Sequence, residues 1–314
     1  MFEIPDFLYP SFCSDINPYA DEIQNNTLQW AAEYGMLTEK VQKMSTGFFA
    51  SRTYPKASKN TLQIAADWIL WLFLLDDEVD EAHLGQEPER LYILHSQLLS
   101  ILRGSNSIPQ DWGIAHMLAN WRERVCFHVS QDWMERFSHM VALYFESNRW
   151  EAKNRQLGIV PEVENYIAMR NFSGAVYPCF ALIEITAGIE LPFYILQSAV
   201  GELLQRRASN IISWSNDVFS FQKEIKHLDV HNLVYVLHKH RNISLESALT
   251  QVKAMHDTEV KKFEQLLLDL PTYNSPQIQE HFSHFVKGLQ YWITGNRDWS
   301  VNNPRYQSFE VVEV

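Results

Sequence analysis

Cysteine is scarce in this chain. Cys13, Cys126 and Cys179 are widely spaced and form no CxxC pair. That excludes a disulfide-stapled scaffold and a thiolate zinc site, and an odd, sparse set suggests a reducing compartment, hence the cytoplasm. Glycine (11) and proline (12) are few for 314 residues, which argues against a fold rich in strands and tight turns. Basic charge is short as well. Lys plus Arg number 26 against 38 Asp plus Glu, a formal net charge of −12. A general nucleic-acid-binding surface is therefore not expected, although an acidic protein can hold an anionic substrate when metal cations stand between the two. The longest apolar run, Trp68–Leu75, has eight residues, where a membrane span needs about 20. The first ten residues, MFEIPDFLYP, carry two acids and no basic cluster, unlike a secretory leader.

What the chain does have is apolar residues at three-and-four spacing almost throughout. Leu91, Leu94, Leu98, Leu99 and Leu102 form one stripe. Met134, Phe137, Met140, Val141, Leu143 and Tyr144 form a second, and Ala248, Val252, Met255, Val260, Phe263, Leu266 and Leu267 a third. Ser244 is placed to cap the third helix, with Glu246 in its first turn, where an acid suits the helix dipole. Breaks fall near Asn106–Pro109, Gly158–Pro161, Gly188–Pro192 and Pro271–Pro276, with no repeat and no low-complexity linker. The expected fold class is all-α, with ten or more helices in a single domain over residues 1–314. Two helices matter most: Thr61–Leu84, stopped by Gly85, and Leu203–Glu224.

The first of these ends in five acids, Asp76, Asp77, Glu78, Asp80 and Glu81, directly behind the apolar run. Asp76 and Asp80 are i and i+4 and share a helix face about 6 Å apart along the axis. Like charges at that spacing repel, and acids at a helix C-terminus oppose the macrodipole. A divalent cation offsets both penalties, and magnesium prefers hard carboxylate oxygens and keeps room for phosphate. A solvated acidic helix end is the plain alternative. The apolar run before the acids argues against it by placing them at the mouth of a buried apolar space.

The second helix carries Asn216, Ser220 and Glu224 at i, i+4 and i+8. Successive members drift only about 40° around the axis, so an amide, a hydroxyl and a carboxylate oxygen project from one strip. All three are hard ligands, with one negative charge between them, suited to a magnesium ion already bound to phosphate. Lys223, beside Glu224, is placed to reach a phosphate oxygen. Alone this triplet is an ordinary polar face; paired with the aspartates it is a candidate two-sided metal site.

With both motifs in hand, the chain resembles the class I terpene synthases, in particular the microbial terpene cyclases. Asp76-Asp77-Glu78-Val79-Asp80 matches that family's DDxxD motif, and Asn216 to Glu224 matches its NDxxSxxxE triad, including Lys223. Arg305-Tyr306 matches the C-terminal pair that closes over diphosphate, and Trp299 precedes it at the family's spacing. Arg170 falls at the diphosphate-sensing position, with Ser173 and Gly174 at the linker and effector positions of the same helix break. An acid is common at the linker, so Ser173 departs from the pattern and leaves open how Arg170 is coupled to Gly174. Trp30, SRTYP at Ser51–Pro55 and HNLV at His231–Val234 are weaker matches.

The resemblance implies a linear prenyl diphosphate substrate, most fittingly farnesyl diphosphate for a chain of this length, with three magnesium ions per site. It implies metal ligation by Asp76, Asp80, Asn216, Ser220 and Glu224, with Asp77 and Ser173 behind them. Arg170, Lys223, Arg305 and Tyr306 would bind diphosphate. Ionisation gives an allylic cation, which aromatic faces stabilise. Phe73, three residues before Asp76, and Trp299 are the expected cavity rings, whereas packing is the favoured role for Phe172 and Tyr177. Gly174, with Pro178 four residues on, is expected to permit the helix break. No Ser-His-Asp set, glycine-rich phosphate loop or GxGxxG is present. The base that quenches the final cation is not identified, and the diphosphate itself is a candidate. A prenyl chain-elongating synthase, which carries aspartate-rich motifs on both helices, and a non-catalytic helical binding protein are the alternatives. A monomer or homodimer is expected.

Overall fold

The computed structural model of the chain describes residues 6–303 apart from 8, 10, 11, 82, 227 and 228; the side chains of Asp80, Glu81, Lys223 and Lys226 also lie outside the described set. Its elements are α1 (Ala20–Glu33), α2 (Glu39–Lys43), α3 (Thr46–Thr53), α4 (Lys59–Glu81), α5 (Pro88–Leu102), α6 (Gly113–Val125) and α7 (Gln131–Leu157). There follow α8 (Val163–Ser173), α9 (Val176–Ala187), α10 (Phe193–Leu196), α11 (Ala199–Lys226), α12 (Leu233–Arg241), α13 (Leu245–Leu268) and α14 (Pro276–Asn302). Among the described residues there is no strand and no helix long and apolar enough to cross a membrane.

Local sequence explains most boundaries. The Ser244 hydroxyl accepts the Ser247 amide at 3.1 Å, capping α13 as its position in the sequence suggests. Gly158 and Gly188, both with φ near +65°, terminate α7 and α9 in the left-handed conformation that glycine adopts without strain. Two expectations need correction. The acidic helix runs Lys59–Glu81, not to Leu84, and Gly85 is not its stop: His83 takes φ 55° and Gly85 sits inside a short 3-10 turn, Leu84–Gln86. The break near Arg170 is real, but Gly174 has an ordinary φ of −71°, and Ala175 takes the left-handed conformation at φ 53°. What is tight at 174 is space. A Cβ there would stand 3.1 Å from Ser213 Oγ.

Between Leu62 and Leu75 helix α4 is largely buried and correspondingly apolar over most of its circumference. Trp68 and Trp71 are completely buried and stack at 5.0 Å, with Trp121 of α6 4.7 Å from Trp68 and Phe137 of α7 at 4.8 Å. Each such side chain contributes about 1.5–3 kcal/mol by leaving water. Two of the three indoles are satisfied locally, Trp71 donating to the Ile114 carbonyl and Trp121 to the Ile64 carbonyl, both at 2.9 Å. The opposite side of α4 does not pack solidly. There α3, α7, α9, α11 and α14 stand around a large cavity.

Candidate active site

The cavity measures about 1400 Å³ and draws its wall from most helices of the bundle. That is above the range of about 300–1,000 Å³ common for small-molecule pockets. One part is apolar and aromatic. Phe49 stacks on Trp299 at 4.5 Å with 18° between planes, Phe73 meets Trp299 edge-on at 5.9 Å, and Trp292 meets Phe49 edge-on at 5.4 Å. All four rings line the space. Phe73 and Trp299, the two rings expected in the cavity, are both part of its wall. Phe172 and Tyr177 do not line the cavity but stack on each other at 5.8 Å, the packing role favoured for them.

The other part is polar, and here the five acids behind the apolar run separate. Asp76 is exposed and lines the cavity. Asp77 turns away to the Lys40 ammonium at 2.5 Å. Glu78 accepts the Trp112 indole N–H at 2.8 Å. Crowding is therefore relieved for two of the acids by partners on α2 and beside α6. Asp80 lies outside the described side chains, as do Lys223, Arg305 and Tyr306.

Asn216, Ser220 and Glu224 all line the same cavity from α11. Ser220 Oγ donates to the Asn216 carbonyl at 2.8 Å, which fixes its rotamer. Glu224 accepts a hydrogen bond from Asn232 at 2.9 Å. Burial, reinforced by the nearby carboxylates of Asp229 and Asp217, pushes the Glu224 carboxyl up to about 7, against the Asn232 hydrogen bond and Arg170. Among the described residues no group of three or more His, Cys, Asp or Glu side chains converges as a metal site. The oxygens available are of mixed type, one carboxylate on α4 and an amide, a hydroxyl and a carboxylate on α11. That donor set fits a hard divalent cation whose remaining positions are filled by water or phosphate.

Arg170 is held from α8 in the same wall. Its Nε donates to Asp217 at 2.9 Å and one terminal nitrogen to Asn216 Oδ1 at 3.0 Å. Asp217 is fully buried and also accepts from Tyr166 at 2.6 Å and from the Leu233 amide at 3.1 Å. Asn232 continues the network. Its amide nitrogen donates to the Asp217 carbonyl as well as to Glu224, while its oxygen caps α12 through the Val234 amide. Ser173 and Gly174 line the cavity directly after Arg170.

Several cavity residues are not singled out by the sequence. Tyr144, Asn148, Glu151 and Arg155 of α7 line the polar half. Arg155 forms a two-point pair with Asp229 at 2.9 and 3.2 Å and reaches Glu151 at 3.3 Å. Burial opposes the charge on Asp229, but His231 and Arg155 hold its carboxyl well below the usual range. A signal for the α7 group exists in hindsight: the apolar stripe ending at Tyr144 continues as Asn148, Glu151 and Arg155 at helical spacing, turning polar as α4 does.

An all-helical bundle with an aromatic cavity and facing sets of hard oxygen donors at its mouth defines a class I terpenoid-synthase-type centre. A model of the terpene synthase family 2 C-terminal metal-binding region matches residues 67–262, and the chain belongs to that family. It is similar to (+)-T-muurolol synthase ((2E,6E)-farnesyl diphosphate cyclizing) of Roseiflexus castenholzii, at 42% identity over 95% of this chain and 92% of that one. It is 34% identical to germacrene A synthase of Nostoc punctiforme over 98% and 96% of the two chains. In fold it matches the crystal structure of germacradien-4-ol synthase from Streptomyces citricolor, with a TM-score of 0.85 at 24% identity over 95% and 99% of the chains.

Proposed function

We propose that this chain, acting as one catalytic unit over its whole length, ionises farnesyl diphosphate and cyclises the resulting cation to a sesquiterpene, with release of diphosphate. The observation that carries this reading is the cavity itself, in which Phe49, Phe73, Trp292 and Trp299 line one part while Asp76, Arg170, Asn216, Ser220 and Glu224 line another. The family membership and the farnesyl-cyclising relative support it.

Magnesium, three ions by likeness to the family, would neutralise the diphosphate and act as Lewis acid on the leaving group, held by Asp76 and Asp80 on one side and by Asn216, Ser220 and Glu224 on the other. The chain's own part begins with Arg170. Its guanidinium already stands against Asn216, placed to bond a diphosphate oxygen in a space where water is sparse and such bonds are strong. Lys223, Arg305 and Tyr306 complete the diphosphate contacts in this reading. The aromatic rings exclude water and offer negative π-faces to the migrating positive charge, at about 0.5–2 kcal/mol each. Asp77 holds a position behind these groups, whereas Ser173, expected there too, lines the cavity itself because it closes α8 at its wall. The setting is the cytoplasm, with the protein a monomer or homodimer.

The test is incubation of purified protein with magnesium and, separately, geranyl, farnesyl and geranylgeranyl diphosphate, with gas chromatography–mass spectrometry of the extract and a chelator control. A magnesium-dependent cyclic C15 product is the expected result. Asp76→Ala and Glu224→Ala each lose this product while keeping the helical circular-dichroism spectrum, and full activity in either refutes the metal assignment. Longer prenyl diphosphates on addition of isopentenyl diphosphate would indicate chain elongation instead. No consumption of any substrate by folded protein would leave only a binding protein.

A further inference from the structure

The aromatic part of the cavity wall contains one amide. Trp292, Asn296 and Trp299 follow one another at four- and three-residue steps on α14, so they share a helix face, and all three line the cavity. Phe49 of α3 touches both tryptophans, stacking on Trp299 and meeting Trp292 edge-on. Asn296 therefore stands between aromatic rings about one turn away on either side. The residue before it fixes its place. A Cβ at Gly295 would stand 2.7 Å from the Arg52 carbonyl, so α14 lies directly against the backbone of α3. Asn296 is 4% exposed.

A buried amide is ordinarily hydrogen-bonded. The other buried asparagines are: Asn17 donates to the Ala57 carbonyl at 2.9 Å, Asn171 to the Ile167 carbonyl at 2.9 Å, Asn210 to Glu259 at 3.3 Å, Asn232 to Glu224 at 2.9 Å and Asn303 to the Met44 carbonyl at 3.3 Å. Among the described residues the Asn296 amide has no such partner. Nor is it sealed into the wall, as the unbonded hydroxyls of Ser173 and Ser213 are. The surface it keeps faces the cavity that it lines. A leucine has nearly the same shape and would fill this place among the rings without an unbonded polar group. The amide thus opposes stability, and its use lies in what occupies the cavity. A prenyl chain offers no hydrogen-bond donor or acceptor. The charge of its cation is the feature to which an amide can respond, through the negative end of its dipole.

We propose that Asn296 determines product specificity: its carboxamide oxygen turns to the cation between Trp292 and Trp299 and holds the charge on the carbon nearest to it. The inference rests on the proposed farnesyl diphosphate cyclisation. Aromatic rings attract a cation over their whole faces, whereas a carbonyl dipole concentrates its field at one oxygen. In a space with little water that difference is not screened away. Isomeric cations that carry charge on other carbons lack this help, so the amide biases which of them goes on to product. No hydrogen bond ties the amide down, and it can turn its oxygen inward.

The experiment compares the parent, Asn296→Leu and Asn296→Asp in turnover of farnesyl diphosphate, reading each product as a fraction of the total, so that a change in overall rate does not enter. Leucine keeps the shape and removes the dipole, and the ratio of the parent's main product to the rest falls about fivefold, the scale of a cation's attraction to one ring. Aspartate keeps an oxygen at the same point and retains the main product. Equal product ratios in the parent and the leucine variant overturn the proposal while leaving cyclisation intact. So does an aspartate variant that shifts as leucine does, since shape alone is then at work. Turnover in H2(18)O tests a competing role: label in the parent product that the leucine variant abolishes shows that the amide holds a water, and overturns the dipole. A calorimetric titration with benzyltrimethylammonium, a cation with no hydrogen bond to donate, is independent of turnover. Its binding is about fivefold weaker in the leucine variant, and equal binding overturns the proposal. Failure to consume any prenyl diphosphate strikes the underlying function instead, and the ammonium titration then decides the role of Asn296 alone.

Discussion

Replacing Asp217 by alanine tests whether the wall that carries Arg170 is held by charge pairing. The Asp217 carboxylate is completely buried and accepts from Arg170, Tyr166 and the Leu233 amide. Burial raises its carboxyl above the ordinary value, and Arg170 and Tyr166 oppose that rise. Truncation leaves the guanidinium without its counter-charge, the Leu233 amide without its acceptor, and Tyr166 with only the His231 carbonyl at 3.2 Å. Breaking a buried ion pair from one side costs about 3–5 kcal/mol. Arg170 keeps its bond to Asn216 and its side chain is 14% exposed, which favours the lower end, about 3 kcal/mol. At about 1.5 °C per kcal/mol for a chain of 314 residues, the melting midpoint falls by about 4–5 °C. Thermal unfolding followed by far-ultraviolet circular dichroism measures it. Asp217→Asn, which keeps the volume and one acceptor, should lose about half as much, and combining Asp217→Leu with Arg170→Met should recover most of the loss because no charge is then left unpaired. A midpoint for Asp217→Ala within about 2 °C of the parent would refute the reasoning.

Phe73→Ala removes a cavity ring that touches Trp299 but leaves the tryptophan core of α4 intact; the product mixture should shift toward earlier-quenched or acyclic compounds with a modest loss of stability, and an unchanged chromatogram would rule Phe73 out as a cation-facing ring. His95 tests the opposite kind of site. Its ring is 3% exposed and stacks on Phe145 at 4.0 Å, and burial lowers its pKa to about 3, against the Phe145 backbone. Because the unfolded chain takes up the proton first, the parent loses stability as pH falls through the window from about 6.5 to about 3. His95→Leu lacks this term, so its advantage in denaturant midpoint should grow by about 1.4 kcal/mol per unit as pH is lowered from about 6 to 4. A difference that stays flat with pH would show that His95 titrates normally.

The parts of the site visible in the sequence are those written along one helix. Asp76 behind Trp68–Leu75, and Asn216, Ser220 and Glu224 at four-residue steps, need only the period of the helix to be read as facing sets, and the structure brings them to one cavity. The parts not visible are those that need two elements. Nothing local tells that Lys40 reaches Asp77 across 37 positions, or that Asp217 anchors Arg170, Tyr166 and the start of α12 together. Gly174 lies between the two cases. Its place in the chain marks the break, but the close approach of Ser213 from another helix is not written there, and Ala175 bears the unusual backbone angle. The same distinction bears on function. In the proposed reaction the metal and diphosphate groups along α4 and α11 would set the first step, whereas the rings contributed by different helices would bear on where the charge comes to rest. Two chains alike in the helical motifs can therefore share the first step and differ in product, and rings such as Phe73 and Trp299 are where that difference has to be sought.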